Sequence, residues 1–153
     1  MENADGFYTL KGYALQADGR MSSALEDYLE MVVRLTKEGR RVRIGSLSRL
    51  LHVKASSATK MVRQLDRMGY LSAAPYGEIV LTEKGRAAGD YLLYRHGVVH
   101  GFLRALNRSA DELEQAEKIE HFLNADTVEN LQRLTERLLA EERETGGGGE
   151  AKK

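Results

Sequence analysis

The chain has 153 residues, 42% of them hydrophobic, with a formal net charge of zero and no cysteine. The missing thiols exclude disulfide staples, zinc fingers and thiolate chemistry, and they fit a reducing cytosol. No stretch approaches the roughly 20 apolar residues of a membrane span, and no signal peptide is visible, so a cytoplasmic protein without a membrane partner is expected.

Residues 1–20 show no sustained periodicity, although Phe7, Tyr8, Leu10 and Tyr13 suit a short packed arm. From Ser22 the pattern is helical: Leu25, Tyr28, Leu29, Val32, Val33 and Leu35 fall mostly on one face, and Gly39-Arg40 ends the run. A short second helix fits 44–51, with Ile44, Leu47, Leu50 and Leu51 inward. After a break at HVKAS, a third helix with Ser56 or Ser57 as its cap runs to Met68 and stops at Gly69. Two β-prone stretches, 70–73 and 78–81, flank Pro75-Tyr76-Gly77 and predict a hairpin. Thr82 opens a long helix to about 105, although Gly85, Gly89, Gly97 and Gly101 argue against a straight one. Ser109 with Glu112 has capping-box spacing for a helix to about 123. Asp126 with Glu129 is an acidic version of that signal for a last helix to 143. The tail TGGGGEAKK reads as disordered.

The zero net charge hides an asymmetry. Residues 39–67 hold Arg40, Arg41, Arg43, Arg49, Lys54, Lys60, Arg63 and Arg67 against one acid, Asp66, whereas from 101 onward 8 basic residues face 12 acidic ones. A basic segment joined to an acidic one suits a reader of polyanions carrying a second domain with another task. The competing explanation is a solvated charged helix face. Helix, short helix, turn, helix and hairpin is the order of a winged helix-turn-helix, whose third helix enters the major groove. Ser56, Ser57, Thr59, Lys60 and Arg63 stand where hydroxyls and cations reach phosphates and base edges, and Ala58, Met61, Val62 and Leu65 form the apolar face behind them. Lys54 in the turn and Tyr76 at the hairpin tip are further phosphate candidates.

Three places carry hard metal ligands. Asp27 and Glu30 are three residues apart on one helix face. His96 lies in YRHGVVH with His100 one turn later, and Glu117, Glu120 and His121 in EKIEH point the same way. Glu120 and His121 interrupt the apolar run Ile119, Phe122 and Leu123, and a divalent cation would resolve the cost of burying them. Taken singly, each is explained as a surface acid, a core histidine or a salt bridge through Lys118. As a set, four carboxylates and two imidazoles without sulfur favour Mn(II) or Fe(II) over Cu(I) or thiolate zinc, and six side chains suggest a binuclear site.

SALEDYLEMV, SSATKMVRQLD, GYL…VLTEKG, LLYRH and EKIEH, in order over about residues 22–143, resemble the manganese-sensing branch of the diphtheria-toxin-repressor family. The resemblance implies a mainly α chain: an N-terminal winged helix DNA-binding domain (22–82), then an α-helical metal-binding and dimerisation domain (83–145). An unassigned arm (1–21) and a disordered tail (146–153) would flank them. It places the ligands on Asp27, Glu30, His96, Glu117, Glu120 and His121. The iron-sensing branch has sulfur at two of these positions, Met for Asp27 and Cys for Glu117. The implied cofactor is Mn(II), binuclear per subunit, with Fe(II), Co(II), Zn(II) or Cd(II) as substitutes. The additional C-terminal SH3-like domain of the longer iron repressors is not expected. Two departures stand out: Ala55 replaces a proline common before the recognition helix, and His100 replaces an acid and adds a third imidazole near the site.

The implied partners are double-stranded operator DNA and a second copy of the chain. Ile119, Phe122, Leu123, Val128, Leu131, Leu134 and Leu138 offer apolar rows for a homodimer through the C-terminal helices. The expected function is a Mn(II)-activated repressor of metal-uptake genes, and not an enzyme. A sensor of Fe(II) or Zn(II), or a winged-helix regulator answering a non-metal ligand, are the alternatives. A helical di-iron enzyme fits poorly, because it needs paired Glu-x-x-His motifs and Lys118 stands three residues before His121.

Overall fold

The computed structural model describes residues 21–74 and 77–146; the expected arm over 1–20, Tyr76 and the tail beyond Gly146 lie outside them. The chain divides into two compact units that meet at Val80 and Leu81.

Among the described residues of the first unit, helix α1 (Ser23–Lys37) comes first, capped by the Ser22 hydroxyl, which accepts from the Leu25 N–H at 3.2 Å. Its apolar stripe is buried as expected: Leu25, Tyr28, Leu29, Val32, Val33 and Leu35 are all in the core. At about 1.5–3 kcal/mol per large apolar side chain removed from water, that stripe is what holds α1 in place. Helices α2 (Ile44–Leu50) and α3 (Ala55–Arg67) follow, then strands β1 (Leu71–Ala73) and β2 (Ile79–Leu81), paired as one hairpin.

The three helices among the described residues of this unit end in the same backbone device. The bonds Arg40 N–H to Leu35 O, Val53 N–H to Ser48 O and Tyr70 N–H to Leu65 O close three Schellman turns. Their left-handed residues are Gly39, His52 and Gly69, at φ 71°, 55° and 83°. Glycine takes that conformation without steric cost, whereas His52 does so in the helix-turn-helix turn itself.

The start of α3 differs from expectation. The helix begins at Ala55 with Lys54 as its N-cap and no side-chain cap bond, so Ser56 and Ser57 lie inside the first turn, exposed. The turn closed at His52 and Val53 delivers the chain into the helix two or three residues early, and the Ala58 N–H to Lys54 O bond starts the ladder. Ala58, Val62 and Leu65 are buried, and Met61 is half-buried. Two bonds tie the hairpin down: Ile79 N–H donates to Val42 O at 2.8 Å, and Ala73 N–H donates to the Asp66 carboxylate at 3.3 Å.

The second unit is built on α4 (Glu83–Asn107), capped by Thr82, whose hydroxyl accepts from Gly85 N–H at 3.1 Å. The four glycines do not break it. Gly97 has nothing within 4 Å of where a Cβ would stand. Gly97→Ala should therefore raise the thermal midpoint, by about 1 kcal/mol of helix propensity; a drop in a melting experiment would show that the position needs glycine.

Helix α5 (Leu113–Ile119), a 3-10 turn (Glu120–Phe122) and α6 (Ala125–Gly146) complete the unit. Both expected caps shift. Ser109 Oγ donates to the Glu112 side chain at 2.8 Å instead of capping a backbone N–H, and α5 starts after Glu112 with no side-chain cap. Asn124, not Asp126, caps α6, accepting from Thr127 N–H at 2.9 Å. Helix α6 runs three residues past the expected end and includes Gly146. Val99, Leu103 and Ala116 form the core of this unit, with Phe102, Ile119 and Leu123 packed on it. Of the apolar rows assigned to a dimer, Ile119, Leu123 and Val128 are thus used within the chain, while Phe122 and Leu134 stay exposed. Among the described residues no helix is long and apolar enough to cross a membrane.

Candidate metal centre and nucleic-acid interface

In the second unit, α4 presents Arg95 and His96 to the end of α5 and the 3-10 turn. His96 Nδ1 lies 2.8 Å from Glu120 Oε2 and 3.5 Å from Glu117 Oε1. The three side chains offer ligand atoms within 4.8 Å of one another, and Glu120 and His121 do so as well. The expected i, i+3, i+4 helical face is altered here, because α5 tightens into a 3-10 turn at Glu120.

Glu120 is the unusual member of this group. It is 0% exposed, and its Oε1 is buried with no hydrogen-bond partner among the described residues. A buried carboxylate oxygen left unsatisfied costs several kcal/mol, which is the penalty a bound cation relieves. Lys118 does not relieve it, since its ammonium is taken by Glu114 at 2.5 Å, a hydrogen bond that also holds the Glu114 carboxyl below the usual carboxylate range. The donor chemistry, carboxylate oxygen and imidazole nitrogen, suits a divalent cation of hard to intermediate character.

Asp27 and Glu30 stand on α1, in the first unit. Glu30 is buried and accepts from Arg34 Nη2 at 2.7 Å, an i,i+4 ion pair, while Asp27 is half-buried. His100 takes a different role from that of an extra ligand. Its Nε2 accepts from the Glu112 N–H at 3.2 Å, so that lone pair serves the backbone at the start of α5. The sequence reading missed Arg95, which is 5% exposed and sets its Nη2 3.4 Å from His121 Nδ1. The available signal was an arginine directly preceding His96.

On the first unit, Lys54, Ser56, Ser57, Lys60 and Arg63 are all exposed along α3, opposite its buried stripe. Thr59 is half-buried and its hydroxyl donates to Ala55 O at 2.9 Å, leaving the oxygen lone pairs as acceptors. Tyr76 lies outside the described residues. A groove of about 590 Å³ between α3 and the hairpin is lined by Arg43, Thr59, Arg63, Ala73 and Gly77. Arg43 was not among the expected contacts, and it adds a cation to this face.

Two family models match in sequence order: "Iron dependent repressor, N-terminal DNA binding domain" over residues 20–79, and "Iron dependent repressor, metal binding and dimerisation domain" over 82–142. The chain is 36% identical over 121 residues to the HTH-type transcriptional regulator MntR of Geobacillus kaustophilus, covering 78% of this chain and 86% of that one. To the regulator of the same name from Bacillus subtilis it is 35% identical over 109 residues, covering 71% and 77%. Among solved structures, the manganese regulator SloR is similar at a TM-score of 0.65 and 26% identity, over 74% of this chain and 54% of that one. ScaR with bound Zn2+ is similar in fold, with a TM-score of 0.62 at 24% identity, over 73% and 53%. The chain thus spans about half the length of these two structures and most of the length of the two MntR proteins.

Proposed function

Because this chain belongs to the iron-dependent repressor family, we propose that it is a Mn(II)-activated repressor of metal-uptake genes that binds operator DNA as a homodimer. Its place in the family makes it a metal-dependent transcriptional regulator, and its relatives named as such support a regulator over an enzyme. The observation that carries the metal reading is the buried, half-satisfied carboxylate of Glu120 against His96 and Glu117.

The ion would be held by His96, Glu117, Glu120 and His121 from the second unit and by Asp27 and Glu30 from α1, as one or two ions per subunit. When bound, it supplies the positive charge that offsets four carboxylates. Oxygen at positions 27 and 117 supports Mn(II), and Fe(II), Co(II), Zn(II) and Cd(II) are substitutes that the same donors accept. The residues of this chain do the rest. Asp27 and Glu30 couple α1, and through it the winged helix, to the charge state of the centre. Lys54, Ser56, Ser57, Thr59, Lys60, Arg63 and Tyr76 contact the duplex, and the exposed Phe122 and Leu134 contribute to a dimer surface on the C-terminal helices. Two recognition helices reach successive half-sites only while the dimer holds both winged helices in one arrangement.

Metal-resolved DNA binding tests this. Metal-stripped protein titrated onto its own upstream region at fixed salt should bind about 5- to 150-fold tighter with Mn(II) present, a coupling of about 1–3 kcal/mol. Equal affinity with and without every metal would leave the DNA-binding fold intact and refute metal activation. By reciprocity, operator DNA should tighten Mn(II) binding by the same factor.

A further inference from the structure

The contact between Arg95 and His121 bears on the metal centre read above, and the inference rests on that reading. Arg95 lies on α4 immediately before His96 and is buried, with Nη2 3.4 Å from His121 Nδ1. A guanidinium has five N–H donors and no acceptor, so in this contact Nδ1 of His121 supplies the lone pair. A neutral imidazole that accepts at Nδ1 carries its proton on Nε2, and has no second lone pair to give a cation. Coordination by His121 through Nδ1 uses the lone pair that Arg95 occupies. Coordination through Nε2 moves the ring proton to Nδ1, where the guanidinium would face a donor. The Arg95 contact and metal ligation by His121 therefore exclude one another.

We infer that Arg95 is the resident cation of the metal-free centre and competes with the metal for His121. Arginine suits this part because it stays charged at every accessible pH, and its planar fork holds a fixed direction within a packed site. The segment that carries His121 also carries the acids Glu117 and Glu120, and His96 is the next residue on the helix of Arg95. A positive charge here offsets carboxylates that have no metal. It must withdraw from His121 before that side chain can coordinate. The consequence is a weaker centre than the same donors would make alone. That raises the ion concentration at which the protein responds, so Arg95 tunes the threshold of the sensor.

The test is direct metal binding by the full chain. Mn(II) bound to wild type and to Arg95→Met, which keeps an unbranched stem and removes the donors and the charge, is counted by electron paramagnetic resonance of the free ion. Arg95→Met should bind Mn(II) at least about tenfold tighter, the effect of releasing a charge-assisted hydrogen bond. Unchanged or weaker binding by a folded variant would overturn the inference. Should the variant not fold, ¹⁵N spectra of the His121 ring in wild type give an independent answer. The metal-free ring should carry its proton on Nε2, and Cd(II), which is diamagnetic, should abolish the Arg95 contact; a proton on Nδ1 in the metal-free protein would overturn the inference. Wild type that bound neither Mn(II) nor Cd(II) would overturn the metal reading itself. Wild type that bound both, with no gain in the variant, would overturn only the competition.

Discussion

Glu120→Gln should abolish the stabilisation of this protein by Mn(II) while leaving the metal-free protein as stable as wild type, or more so. The substitution preserves shape and a hydrogen-bonding group toward His96 Nδ1, 2.8 Å from Oε2. It removes the charge from a side chain that is 0% exposed and whose second oxygen has no hydrogen-bond partner among the described residues. In the metal-free state that charge is a burden, because a buried carboxylate has lost its hydration and is only half satisfied. In the proposed metal-bound state it would be the reason for binding. At an ion concentration a hundred times the dissociation constant, wild type gains about 2.7 kcal/mol, and the variant should gain none. Thermal melts of both proteins with and without Mn(II) measure this directly. A variant that keeps the full metal-induced shift would remove Glu120 from the centre, and a metal-free variant much less stable than wild type would show that the carboxylate is structurally required.

Arg63 and Leu65 are two residues apart on α3, and their replacement by alanine should give opposite signatures. Leu65 is fully buried beneath the helix, whereas Arg63 is exposed on the opposite side and lines the groove toward the hairpin. Leu65→Ala should destabilise the first unit by about 2–5 kcal/mol, the combined loss of transfer energy and the cavity left behind. Its effect on DNA should follow the fraction folded. Arg63→Ala should leave the melting temperature unchanged and weaken operator binding by about 1–3 kcal/mol if the guanidinium reads a base edge. If it contacts phosphate instead, the loss should be uniform across sequences and the salt dependence should flatten by roughly one ion. Melting curves with binding isotherms at three salt concentrations separate these outcomes. Unchanged affinity at every salt concentration would take Arg63 off the DNA-facing surface.

Much of this was legible in the chain. The inward faces of α1 and α3 follow from apolar residues at three- and four-residue intervals, and the structure buries those residues. Gly39 and Gly69 ended their helices as read, since a left-handed residue closes the terminal carbonyls. His52 does the same job in the helix-turn-helix turn without being glycine, and so gave no such signal. Caps were read less well. Ser56, Ser57, Ser109 and Asp126 each had the right chemistry, but Lys54, Glu112 and Asn124 took the positions. A capping side chain stabilises a helix by about 1 kcal/mol, which the packing of a whole turn easily outweighs.

The sequence by itself determined the order of elements, the basic character of the recognition segment and the oxygen and nitrogen chemistry of the candidate ligands. All of these arise from residue identity and from neighbours within one or two turns, where spacing along the chain is spacing in space. Only the tertiary structure decided which groups actually share an environment. His96 and Glu120 are 24 residues apart, and they meet because α4 and α5 pack around Val99, Leu103 and Ala116. The same packing buries Glu120 and commits His100 to the backbone of Glu112. It also brings Arg95 to His121. Solvation and partners set the energy of a charged group, and both are properties of the packed site rather than of the residues taken in order.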